Sequence, residues 1–123
     1  MKKNKFLLGK RSEKKKWAPG AWDIVGGKGL KGENPLDTLK REAAEEIDIS
    51  VLHAKLLVSV NIPDDSTSGA FIYHIYMITS WKAKPVNSSK EHTKIRWFTR
   101  KEMPDLQLAL VLYLELIDSW LKE

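Results

Sequence analysis

Apolar and polar positions recur along the chain with two different periods, and the switches between them mark out the elements. Lys5 to Arg11, KFLLGKR, is a short apolar run that predicts a first strand. A charged turn follows over Ser12 to Lys16, then a turn through Pro19-Gly20. Trp22-Asp23-Ile24-Val25 predicts a second strand. From Pro35 the period changes: Leu36, Leu39, Ala43 and Ile47 fall at i, i+3, i+7 and i+11, one apolar stripe of a helix. Asn34 as N-cap and Pro35 at the first helical position give that helix its start.

Ser50 to Asn61 is β-like, as one long strand or two short ones, and its imperfect alternation leaves the register open. Ile62 to Gly69 is a polar loop rich in turn residues. Ala70 to Trp81 carries the strongest strand signal, dominated by β-branched and aromatic residues. Phe71, Tyr73, Ile75 and Met77 share one face and Ile72, His74, Tyr76 and Ile78 the other. Both faces are largely apolar, which predicts a central strand covered on both sides. A loop over Lys82 to Ser89 precedes a strand ending in Trp97-Phe98. Thr99 and Glu102 have capping-box spacing. A last helix is predicted from Leu106 to Leu121, its stripe made of Leu106, Ala109, Leu110, Ile117, Trp120 and Leu121. Leu108 and Leu112 fall off that stripe, so the helix is either deeply buried or offers a second contact, as in a homodimer.

Composition narrows the class. The chain has 123 residues, enough for one domain over 1–123 with a real core and too few for two. It contains no cysteine, which excludes a disulfide framework and a thiolate metal site and fits a reducing, cytoplasmic setting. No apolar run reaches signal-peptide or membrane-spanning length, so no membrane role is expected. The net charge is +5, and the excess gathers in Lys2, Lys3, Lys5, Lys10, Arg11 and Lys14 to Lys16. A basic surface favours anionic partners, nucleotides and RNA among them, although a lysine-rich hairpin also serves solubility.

The chemistry concentrates on the predicted helix. Glu42, Glu45 and Glu46 fall at i, i+3 and i+4, on a face roughly 110° from the apolar stripe at about 100° per residue. Like charges at this spacing repel by a few tenths of a kcal/mol per pair, roughly. Oxygen ligands so close together suit a hard cation, Mg²⁺ with Mn²⁺ as the alternative, that also takes phosphate oxygens. A solvated Glu-rich face would show the same run. Gly26, Gly27, Gly29 and Gly32 ahead of the helix form a loop that lets other groups approach its backbone.

The spacing around those glutamates is more specific than the run itself. Gly27, five residues, Glu33, seven residues, then Arg41-Glu42-Ala43-Ala44-Glu45-Glu46-Ile47-Asp48-Ile49 resembles the Nudix box of the Nudix hydrolase superfamily, MutT-like enzymes included. Two positions depart from the pattern. Ala43 is a small residue at an aliphatic position, and Asp48 stands where the family has glycine at the helix C-terminus. Asp tolerates the left-handed cap better than most residues, so a stability cost is expected rather than a loss of chemistry. Val25 also replaces a proline frequent before the glycine pair.

The resemblance covers essentially the whole chain. It implies an α+β Nudix fold, a mixed β-sheet between the box helix and the C-terminal helix. It implies Mg²⁺-dependent hydrolysis of a substrate built on a nucleoside diphosphate, first of all a nucleoside triphosphate giving monophosphate and pyrophosphate. ADP-ribose, a dinucleoside polyphosphate or an RNA 5′ end are alternative substrates, and a silent nucleotide- or RNA-binding module is the alternative to an enzyme. Glu42, Glu45 and Glu46, with Gly27, would hold the metal. Glu46 or Glu42 would orient or deprotonate the attacking water, with Glu91 as runner-up and Arg41 fixing a carboxylate rotamer. Arg11 and Lys28 are candidates for phosphate. Trp17, Trp22, Phe71 and Tyr73 are candidates for stacking on the base, though each also suits a core.

Overall fold

The computed structural model describes residues 4–64 and 69–123. Lys2, Lys3 and residues 65–68 of the polar loop lie outside the described residues. The elements run β1 (Lys5–Arg11), β2 (Trp22–Asp23), α1 (Pro35–Ile47), β3 (Ser50–Pro63), β4 (Ala70–Lys82), β5 (His92–Thr99), a 3-10 helix (Arg100–Asp105) and α2 (Leu112–Leu121). The fold is α+β, with antiparallel sheets and packed helices.

The three-stranded sheet has the order β2-β1-β5, and α1 and α2 cover its opposite faces. Leu7 and Ile95 pack against Leu39, Ala43 and Ile47 of α1. Phe6, Leu8, Trp22 and Phe98 point the other way and pack with Met103 and Ile117. Burying Leu39 and Ile47 stabilises by roughly 1.5–3 kcal/mol each, which anchors α1 and fixes the direction of its acidic face. Among the described residues no helix is long and apolar enough to cross a membrane.

The α+β class holds, but the strands form two antiparallel sheets, β2-β1-β5 and β3-β4, with a parallel bridge from Trp22 to Leu108. β4 therefore pairs only with β3 and is not central. Its Tyr73, Ile75 and Met77 face is buried, whereas Ile72 on the other face is exposed. An apolar cavity of about 110 Å³, lined by Leu7, Leu8, Tyr76, Met77 and Trp97 among others, separates the sheets. Ser50–Pro63 is one long strand, with its irregular alternation resolved as register shifts at Val51/His53, His53/Ala54 and Leu56/Val58.

The last helix begins at Leu112, not Leu106. The Trp22 N–H donates to the Gln107 carbonyl at 2.8 Å, and the Ala109 N–H donates to the Trp22 carbonyl at 2.8 Å. Backbone groups spent on β2 are lost to a helix. Leu108 thus lies off the helical stripe because it lies in an extended bridge to Trp22, packed against the core. The capping box at Thr99 and Glu102 is present, with both reciprocal bonds, and starts the 3-10 helix.

Candidate active site

The acidic helix is held at both ends. At its start the Asn34 side chain accepts the Asp37 N–H at 2.9 Å. At its end Asp48 adopts the left-handed conformation, φ 56°, and donates its N–H to the Ala44 carbonyl at 3.2 Å. The loop before β5 straps the same end. Val86 N–H donates to the Ile47 carbonyl at 3.0 Å, Ser88 N–H to the Glu46 carbonyl at 2.9 Å, and Ser88 Oγ to the Glu45 carbonyl at 2.8 Å. Carbonyls that an α-helix leaves unmet are met here.

Arg41 organises one flank of the acidic face. Its guanidinium grips Glu33 through Nε at 2.8 Å and Nη2 at 3.1 Å, Glu42 through Nη1 at 2.8 Å, Glu45 through Nη1 at 3.2 Å and the Lys28 carbonyl through Nη2 at 3.2 Å. This is the fork geometry that only arginine offers. Glu33 also accepts from Leu30 N–H and Thr38 Oγ1. The Arg41 fork first, and then the Leu30 N–H, hold its carboxyl down to about 2. Glu33 and Arg41 thereby tie the glycine loop to the helix.

Glu46 is in the opposite situation. It is only 3% exposed and accepts one hydrogen bond, from Gly26 N–H to Oε2 at 3.1 Å. Burial first, then the charge of Glu42, and further off those of Glu91 and Asp23, push its pKa up to about 9. Glu42 is raised too, by burial, against the downward pull of Arg41. Gly27 stands against this pair: a Cβ there would lie 3.0 Å from the Glu42 carboxyl carbon. Gly26, at φ 146°, leaves room for the Tyr73 hydroxyl, which a Cβ would meet at 2.7 Å. Two half-repelling carboxylates against a bare glycine backbone, short of positive charge, form a donor set that fits a hard cation. Among the described residues, however, no three acidic or imidazole side chains converge as a ready metal-binding group, because Glu45 turns to Arg41 and is more than half exposed.

A second buried cluster adjoins the first, and sequence reasoning gave it no role. Asp23 is buried and bonded to Arg11 Nη1 at 3.2 Å, Ile24 N–H at 2.8 Å and the Tyr113 hydroxyl. His92 is buried with Nδ1 3.7 Å from Glu46 Oε1, and burial lowers its pKa. An acidic residue inside an apolar strand was the available signal for Asp23. His92 gave none, since it alternates with exposed Lys94 and Arg96.

The other candidates divide. Glu91 lies near enough to raise Glu46 and is paired with Lys15. Arg11 is engaged with Asp23, with the Trp17 carbonyl at 3.0 Å and with the Trp17 ring at 5.0 Å, and is nearly buried. Lys28 reaches Asp64 at 2.7 Å and keeps half its surface exposed. Trp22 is buried: its ring meets Phe98 in a T-shaped contact at 4.8 Å, and Lys94 Nζ lies 5.7 Å from the ring centroid. Tyr73 is likewise buried, beside partly buried Phe71 at 6.1 Å. A cleft of about 110 Å³ opens beside the glycine turn, lined by Gly26, Gly27, Gly29, Thr38, Tyr73 and His74 among others.

Known proteins resemble this chain over most of its length. Residues 1–116 match the NUDIX domain family model. An 8-oxo-dGTP diphosphatase of Buchnera aphidicola subsp. Schizaphis graminum is 29% identical over 102 residues, covering 79% of this chain and 69% of that protein. A relative in Mycobacterium tuberculosis is 31% identical over 88 residues, covering 71% of this chain and 60% of that protein. The MutT NUDIX hydrolase from Burkholderia pseudomallei superposes with a TM-score of 0.80 at 24% identity, covering 96% of this chain and 89% of that one. The NUDIX domain of Shewanella oneidensis NrtR, solved with ADP ribose, superposes with a TM-score of 0.74 at 20% identity, covering 95% and 77%. The chain belongs to the NUDIX domain family and is a Nudix-type pyrophosphohydrolase.

Proposed function

We propose that the protein is a Mg²⁺-dependent, MutT-like nucleoside triphosphate pyrophosphohydrolase that releases a nucleoside monophosphate and pyrophosphate. The observation that carries this reading is the buried, under-compensated Glu42–Glu46 pair against the Gly26–Gly27 turn. Glu42 and Glu46, with Gly27 beside them and Glu45 after release from Arg41, would hold Mg²⁺, or Mn²⁺ in its place. Once bound, the ion supplies charge neutralisation for the polyphosphate and lowers the pKa of a water.

The chain's own residues do the rest. Gly26 N–H orients Glu46 through Oε2. Arg41 fixes the Glu42 rotamer and joins the helix to the Glu33 loop. Glu46 in its ionised form, or Glu42, would orient the attacking water and take its proton, with Glu91 the alternative base. Lys28, half exposed at the glycine loop, is the side chain best placed to exchange Asp64 for a phosphate. Arg11, held by Asp23 and Trp17, supports the loop rather than the substrate.

The relatives named as 8-oxo-dGTP diphosphatases make 8-oxo-dGTP the first nucleotide to test. Pyrophosphate release is measured on 8-oxo-dGTP and the ordinary nucleoside triphosphates, beside ADP-ribose, a dinucleoside tetraphosphate and 5′-triphosphate RNA, with Mg²⁺ and with EDTA. Turnover of a triphosphate that stops in EDTA is expected. Nucleotide binding without turnover in either Mg²⁺ or Mn²⁺ would turn the reading to a binding module.

A further inference from the structure

The pairing of β1 with β5 has one irregularity, and it lies beside the acidic pair. Gly9 pairs with Ile95, Lys10 with Lys94 and Arg11 with His92, so Thr93 is left over as a bulge. In an unbroken strand His92 would share the face of Lys94 and Arg96, both exposed. The bulge turns it to the other side. Its ring lies where a Cβ of Gly9 would be, 2.5 Å from that position, and Gly9 shares its face with Ile95 rather than Lys94. That is the face on which α1 packs.

The ring is held there from behind. The Asn87 side-chain amide donates to the His92 carbonyl at 2.9 Å, and neighbouring Ser88 bonds the Glu45 and Glu46 carbonyls. Yet what the bulge, the glycine and the strap deliver is incomplete. Among the described residues His92 Nδ1 is the one buried side-chain polar atom without a hydrogen-bond partner, and it faces Glu46 Oε1 at 3.7 Å. Buried polar atoms are seldom left unpaired, and in native proteins an exception calls for an explanation.

We infer that His92 is a positioning residue for Glu46: Nδ1–H donates to Oε1 while Gly26 N–H holds Oε2, which fixes the carboxylate from both sides. The 3.7 Å gap closes with a side-chain movement of less than 1 Å, roughly, to hydrogen-bond distance. Groups that orient a metal-holding carboxylate in this way tune affinity without touching the ion. The inference rests on the Mg²⁺-dependent reading of the site.

The test compares His92→Asn with His92→Leu in the full chain. The two side chains have nearly the same shape, but only Asn offers a donor near the Nδ1 position. Mn²⁺ alone is titrated by electron paramagnetic resonance, and kcat and KM are measured with Mg²⁺ on the best triphosphate. His92→Leu is expected to weaken Mn²⁺ binding about tenfold and lower kcat about ten- to a hundredfold, with KM within about threefold. His92→Asn should stay within about threefold of the parent on all three. Parental Mn²⁺ binding and kcat in His92→Leu, or an equal fall in both variants, overturns the inference and leaves His92 a packing residue. Should His92→Leu fail to fold, Gly9→Ala decides instead, since it displaces the ring: the same tenfold loss of Mn²⁺ is expected, and a folded Gly9→Ala with parental Mn²⁺ binding overturns the inference. A parent that neither binds Mn²⁺ nor turns over any nucleotide removes the reading of the site and this inference with it. A parent that does both, matched by His92→Leu, removes the inference alone.

Discussion

Glu33 and Glu46 belong to one acidic motif, yet the fold treats them oppositely. Glu33 sits in the fork of Arg41 with two further donors, and its pKa falls to about 2. Glu46 is sealed against Gly26 with one donor and three like charges near it, and its pKa rises to about 9. A count of acidic residues does not separate them. Compensation does: a carboxylate whose partners are all protein groups is building the loop, and one left short of positive charge marks where a cation belongs.

The largest break in this contrast is Glu46→Gln. It keeps shape and volume and removes the charge. A fall in kcat of about a thousandfold is expected, about 4 kcal/mol on the barrier, with a native thermal transition. Pyrophosphate release at saturating nucleotide measures it. Near-parental turnover would take Glu46 out of the chemistry.

The pH response sharpens the contrast next, because the two carboxylates have opposite signs. In the unfolded chain each ionises near 4.5. Glu46 is raised to about 9 in the fold, so its protonated form contributes stability fully below about pH 4.5 and loses it as pH rises through about 9. Glu33 is lowered to about 2, so its contribution is present above about 4.5 and is lost as pH falls through about 2. In EDTA the parent should therefore lose about 5 kcal/mol relative to Glu46→Gln between pH 5 and pH 9, by urea unfolding. A flat difference would mean that Glu46 is already charged without metal.

Arg41→Lys tests the compensated side. A lysine keeps the charge but cannot grip Glu33 and Glu42 together. Losing the paired bonds at a partly exposed site costs about 1–2 kcal/mol in the unfolding free energy, with KM affected more than kcat. Unchanged stability would mean that the fork is ornamental to the loop.

What the chain disclosed in advance was what neighbours in sequence decide. α1 starts at Asn34-Pro35 and ends at a left-handed Asp48 because caps and periodicity are local chemistry. The Thr99–Glu102 box is local in the same way. The start of α2 was hidden, because the bonds that keep Gln107 and Ala109 extended come from Trp22, far back in the chain. The edge position of β4 was hidden for a related reason, since apolar faces do not say which strand edges are already taken. Within the site, the acidic residues were legible from spacing. Their opposite electrical states were not, because these depend on Gly26, Arg41 and burial acting together in space. His92 was hidden by a bulge that no alternation pattern records.

Glu45 stands between the two regimes and yields the smallest effect. It bonds Arg41 at 3.2 Å, as a compensated group does, yet it is more than half exposed, one turn from Glu42 and next to Glu46. An exposed pair of this kind contributes about 0.5 kcal/mol at most to stability. Releasing Arg41 is therefore cheap, and a cation at Glu42 and Glu46 can recruit Glu45 at little cost. Glu45→Gln should leave unfolding nearly unchanged and weaken Mn²⁺ binding about fivefold, about 1 kcal/mol. A loss as deep as that of Glu46→Gln would move Glu45 fully to the cation's side. No loss would leave it with Arg41 and confine the cation to the buried pair, so this small number decides where the boundary between structural and functional carboxylates runs along α1.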